Sequence, residues 1–149
     1  MWKRIKDSAG TSLVEAALIT PLLLMLTLSM IDFGALFYAW LVLENGVSQA
    51  TRYGVTGNQS PGLSREDSIK VAMKNATPTL TIPDGAITFS YLAPGDATWH
   101  AGAGGPNDVQ KITVHYSWTM LTPFVRALFP GGAVMLTVES AMKNEPRFE

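Results

Sequence analysis

Leu13 to Met30 is an eighteen-residue apolar run whose only charge is Glu15, near its start. As a helix it measures roughly 27 Å, close to the hydrocarbon thickness of a bilayer. A stretch of that length and composition is predicted to cross a membrane. Three cations, Lys3, Arg4 and Lys6, precede it with one anion, Asp7. By the positive-inside rule they stay in the cytoplasm and the long C-terminal part lies on the other side. A cleavable secretory signal has a basic start and an apolar core as well. It fits less well, because the run is long for such a core. Asp32-Phe33-Gly34 and further aromatics then follow it, in place of a small-residue cleavage site.

The overall hydrophobic content of 47% and charged content of 15% average two unlike parts. Residues 11–43 are almost wholly apolar, and from Gly57 onward the chain reads as a turn-rich soluble domain. A net charge of -1 with no basic stripe argues against a nucleic-acid partner. With no cysteine, neither a disulfide framework nor a thiolate metal site is open to the chain.

An ionised carboxylate is costly at mid-bilayer. If the span begins near Leu13, Asp32 falls at the outer interface, followed by Phe33, Phe37, Tyr38 and Trp40 as an aromatic belt. Asp32 is then either an interface-level carboxylate with no special role or a functional one. Val47, Ala50 and Tyr53 keep helical spacing, so one helix is predicted from about Thr11 to about Val55, with Pro21 as a candidate kink. Glu15 has no cation within a turn on its C-terminal side. It either sits among headgroups or pairs with a partner supplied from elsewhere, such as a new amino terminus at Thr11.

The rest reads as a small α+β unit. Ser64 is placed as the cap of a short helix containing Ile69, Val71, Ala72, Met73 and Ala76. Strands are predicted at Ile87–Leu92, Val109–Thr119 and Val134–Ser140, and a short helix at Pro123–Phe129. Together these predict an antiparallel sheet of three or four strands with one helix packed on it. The connection Ala93–Asp108 holds Asp96, Trp99, His100, Asn107 and Asp108 among glycines. Its ligand spacing fits no calcium loop, so it reads first as a flexible hairpin connection, with Ala101–Asn107 as the most mobile part, and only second as a ligand site. His100 and His115 lack metal-ligand spacing. No nucleophile elbow, phosphate loop or dinucleotide fingerprint occurs, so no enzyme, cofactor or metal is predicted.

Gly10-Thr11-Ser12-Leu13-Val14-Glu15 resembles a class IV prepilin cleavage motif: basic leader, glycine, then glutamate at the fifth mature position. The continuation through Pro21, with Ile31-Asp32-Phe33-Gly34 and then Asn45 to Gly54, resembles the TadE-like pseudopilins of the tight-adherence (Tad) pilus system. The resemblance covers residues 10–54. It implies a minor pilin acting in assembly or initiation of that pilus, with surface adherence as the end. It further implies a leader at 1–10 cut between Gly10 and Thr11 by a prepilin peptidase, and a helix at 11–56 that spans the membrane at about 13–32. Residues 57–149 would be the extracytoplasmic domain. Glu15 would serve subunit register, and Asp32, Phe33, Phe37, Tyr38 and Trp40 would mark the outer interface. The partners implied are other major and minor pilins, the inner-membrane assembly platform and the bilayer of the bacterial inner membrane. Major pilins of the system carry tyrosine after the glutamate and almost no ectodomain. Ala16 and the domain here point away from the main subunit. A membrane-tethered binding or enzymatic domain unrelated to pili is the alternative.

Overall fold

The computed structural model describes residues 8–146. The leader cations Lys3, Arg4 and Lys6, with Asp7, lie outside the described residues, as do the last three residues of the chain. A single helix, α1, runs from Ser8 to Val55 and passes through Pro21 without interruption. The hydroxyls of Thr27 and Ser29 donate back to the carbonyls of Leu23 (2.8 Å) and Met25 (2.7 Å), which satisfies them inside an otherwise apolar stretch. From Gly10 to Ile31 every residue is exposed except the half-buried Ser29.

Beyond Ile31 the same helix acquires a buried stripe. Asp32 is buried, and from Ala39 seven residues on the buried positions Leu43, Gly46, Val47, Ala50 and Gly54 follow at three- and four-residue spacing. Gly57, at φ 75°, ends the helix by donating its N–H to the Gly54 carbonyl (3.1 Å), a conformation that favours glycine. Helix α2 (Arg65–Ala76) starts at Ser64, whose Oγ accepts from the Asp67 N–H at 3.0 Å. It lies mainly against α1, burying Ile69 and Met73.

Four strands follow: β1 (Ile87–Leu92), β2 (His100–Ala101), β3 (Val109–Thr119) and β4 (Ala133–Lys143). They pair antiparallel in the order β2-β1-β3-β4. A short helix, α3 (Pro123–Arg126), and a 3-10 turn at Pro130–Gly132 join β3 to β4. The register sets Val114 opposite Val138 and Tyr116 opposite Leu136, which places one apolar row per strand on the inner face. Ile112, Val114, Leu136 and Val138 meet Leu43, Val47 and Ala50 there. The fold is therefore α+β, and the helix that covers the sheet is chiefly the second half of α1 itself.

The helix reaches this close to its neighbours because it carries small residues. A Cβ built on Gly46 would stand 2.3 Å from Thr77 Cγ2, and Thr77 is fully buried with its hydroxyl held by the Met73 carbonyl at 3.0 Å. Alanine ordinarily gains about 1 kcal/mol over glycine inside a helix, whereas overpacking costs typically about 1–3 kcal/mol. Because the Thr77 hydroxyl is held, the clash should win. Gly46→Ala is expected to lower stability by about 1–2 kcal/mol, read as a lowered unfolding midpoint of the full chain in micelles. A neutral or raised midpoint would mean that α2 shifts freely.

Candidate functional site at the helix and its junction with the domain

The apolar first half of α1 is, among the described residues, the one helix long and apolar enough to cross a membrane, and its most apolar window has no buried residue. Among the described residues, none of the domain covers that window. Gly10 and Thr11 lie within the helix, one turn before Glu15, and Glu15 is exposed with no ion pair to any described residue. The structure thus leaves Glu15 on an uncovered part of the helix surface.

At the other end of that surface the chain departs from a plain anchor. Asp32 is fully buried, 0% exposed, in a helix whose preceding residues from Gly10 on, Ser29 apart, are exposed. Its Oδ1 accepts from the N–H of Leu121 at 2.5 Å, and its Oδ2 accepts from the N–H of Thr122 at 3.0 Å and from the Thr122 hydroxyl. Three donors converging on one carboxylate match what its two oxygens accept when ionised. Thr122 is the N-cap of α3 yet makes no capping bond with its side chain, since its hydroxyl is turned to Asp32 instead. Asp32 thereby fastens the β3–α3 turn to the helix.

The aromatic residues around Asp32 face outward. Phe33, Phe37, Tyr38 and Trp40 are exposed, with the Phe37 and Trp40 rings 5.7 Å apart. Phe33 meets Phe129 edge to face at 6.4 Å, and the Tyr38 hydroxyl is 3.4 Å from Thr79 Oγ1. Spacing along the helix sets Phe33, Phe37 and Trp40 on one face, with Tyr38 turned toward Thr79. Leu121, Thr122 and Phe129 escaped sequence reasoning because they lie about ninety residues away, and no local pattern ties them to Asp32. The available signal was the cost of an unpaired carboxylate in an apolar helix, which demands donors from somewhere.

A second polar cluster closes the opposite end of the domain. Arg65 donates to the carbonyls of Gly104 and Gly54 (2.8 Å for the latter) and to Gln110 Oε1 (3.1 Å). Asn144 donates to the Gly105 carbonyl at 2.8 Å, and the Glu145 N–H to the Val55 carbonyl at 2.9 Å. Two of these contacts tie Gly104 and Gly105, inside the connection expected to be the most mobile, to α2 and to the residue after β4. Ala103 is part of the core, and Gly104, at φ 68°, sits where a Cβ would be 2.7 Å from that of Tyr91. Gly104 serves close approach rather than slack.

The acids of this connection bind their own surroundings. Asp108 Oδ2 accepts from the Gly105 N–H at 2.6 Å. Asp96 Oδ2 pairs with His100 Nε2 at 2.6 Å, while its Oδ1 accepts from the Ala97 N–H at 2.8 Å. The histidine bond first, and then the backbone donors of Ala97 and Thr98, hold the Asp96 carboxyl down at about 2. Asp96 and His100 thus meet each other, whereas Asp108 is taken up by the backbone of Gly105. Among the described residues no group of three or more acids and histidines is placed to hold a metal ion.

Compared with known proteins, residues 10–52 match the family model described as TadE-like protein. No curated protein and no solved structure matches the chain.

Proposed function

We propose that this chain, with its TadE-like segment at residues 10–52, is a minor pilin that takes part in assembling or initiating a Tad pilus used in surface adherence. The segment associates the protein with the Tad pilus and, as one apolar N-terminal helix, anchors it to a membrane in a single pass. The observation that carries the finer reading is where the match lies. It covers the bare half of α1 and continues into the half that holds the domain. A pilin needs such a helix, free on its first half for packing against other helices and committed on its second to a folded head. No enzymatic activity belongs to this reading, since the TadE-like family is a pilus component.

In this reading residues 1–10 are a leader removed by a prepilin peptidase after Gly10. Residues about 13–32 cross the bacterial inner membrane, with the amino terminus in the cytoplasm. The remainder of the helix, to residue 56, carries the extracytoplasmic domain at 57–149. Phe33, Phe37, Tyr38 and Trp40 lie at the outer interface, where aromatic side chains are favoured. The partners are other major and minor pilins and the inner-membrane assembly platform.

Amino-terminal sequencing of membrane-extracted protein tests the reading, combined with crosslinking to the other pilins. The expected mature chain begins at Thr11 where the peptidase is active and at Met1 where it is deleted. A chain beginning at Met1 in both strains, with no crosslinks to pilins, overturns the proposal.

A further inference from the structure

The segment between β3 and β4 is the most apolar exposed part of the domain. Leu121, Phe124 and Leu128 are 55%, 41% and 67% exposed, and Pro123, Ala127 and Pro130 beside them are exposed as well. Its one charge, on Arg126, is turned back onto the segment, with Nε and Nη2 donating to the Met120 carbonyl at 3.2 and 2.9 Å. A soluble head domain has no reason to hold three large apolar side chains in water on one short lobe.

The position of the lobe is fixed by Asp32. Leu13 to Asp32 spans about 28 Å of helix, so a helix that enters the bilayer near Leu13 leaves it near Asp32. The Asp32 carboxylate holds Leu121 and Thr122 at that same level. Phe33 on the helix meets Phe129 on the lobe, so the two surfaces are continuous. The rest of the domain points away: β3 runs back along α1, and its far end, at Gln110, lies beside Gly54, about 33 Å further along the helix.

We propose that the lobe from Leu121 to Phe129 enters the outer leaflet beside the helix, as a second membrane contact whose partner is the acyl-headgroup boundary of the lipid. This rests on the reading of α1 as a membrane anchor. The inserted groups are Leu121, Phe124 and Leu128, and the three hydrogen bonds on Asp32 let its carboxylate stay at this depth without facing lipid. With two points of contact the domain cannot swivel about the helix, so its sheet keeps one orientation to the membrane plane before it meets other subunits.

The chain has no cysteine, so single cysteines carry an environment-sensitive fluorophore cleanly. The full chain is placed alone in nanodiscs of phosphatidylcholine and phosphatidylglycerol, labelled at Leu23→Cys, Leu128→Cys or Asn58→Cys. Nanodiscs with doxyl groups at a shallow or a deep acyl position then quench by depth. The expected result is deep quenching at residue 23, shallow quenching with blue-shifted emission at residue 128, and neither at residue 58. Quenching at 23 with water-like, unquenched emission at 128 overturns the lobe and leaves the anchor standing. Blue-shifted emission at 128 without lipid quenching also overturns it, in favour of cover by a second copy. Loss of quenching at 23 overturns the anchor, and the lobe with it.

Discussion

Asp32→Ala is expected to release the β3–β4 connection and to lower the stability of the full chain in micelles by about 3–5 kcal/mol. Three donors meet this carboxylate, from the Leu121 N–H and from the N–H and hydroxyl of Thr122. A hydrogen bond to a charged group contributes about 1.5–3 kcal/mol, and a donor left buried without a partner costs about 1–3 kcal/mol. The simple sum is too large, because Leu121 and Thr122 are partly open to solvent and water can replace some of what is lost. Asp32→Asn keeps one acceptor oxygen, so it should fall between alanine and wild type. The measurements are the unfolding midpoint and amide exchange at Leu121 and Thr122. Exchange there should become fast in Asp32→Ala, while Ile112 and Val114, buried under α1, stay protected. Slow exchange at 121 and 122, with a loss under about 1 kcal/mol, would mean that the junction is held by apolar contact such as that of Phe33 with Phe129 instead.

How much of this arrangement is legible in the chain differs sharply with range. Local signals carry far: the predicted strands at Ile87–Leu92 and Val109–Thr119 have the observed bounds, and Ser64 caps α2 as expected. Alternation of polar and apolar residues from Lys111 to Thr119 leaves a strand little choice of face. The third strand is longer than its apolar pattern, running to Lys143 because pairing with β3 continues past the apolar residues. The two-residue strand β2 has no pattern of its own; it exists because His100 and Ala101 pair with Tyr91 and Ser90. Long-range polar contacts were not legible. Asp32 read as an interface carboxylate, and its donors come from a turn about ninety residues later. The glycines of Gly102 to Gly105 read as slack, since nothing local announces that Arg65 and Asn144 would reach their carbonyls. In each case composition shows that a partner or a close approach is needed, and only the tertiary fold says which.

Glu15→Gln is expected to leave insertion and cleavage at Gly10 intact and to abolish incorporation into the pilus machinery. In the structure Glu15 stands exposed on the bare half of α1, four residues after Thr11 and so on the same helix face. Before cleavage the Thr11 nitrogen belongs to a peptide bond. On the proposed reading, removal of the leader converts it to an ammonium group, so processing itself would create the cation for Glu15. Between neighbouring helices in a low-dielectric setting, the pair favours one vertical register, because any other leaves two unpaired charges facing lipid. Breaking such a pair by removing one partner costs about 3–5 kcal/mol, which is roughly two to four orders of magnitude in the association constant. Glutamine keeps the shape and the hydrogen bonding and deletes only the charge, whereas Glu15→Ala and Glu15→Leu remove both. Both of these should ease insertion, since a carboxylate at the edge of the hydrocarbon is itself costly. The readouts are the mature amino terminus, crosslinking to the other pilins, and fibre counts. If Glu15→Gln is cleaved, crosslinks and builds fibres at wild-type levels, charge pairing plays no part in register and Glu15 is a headgroup-level residue.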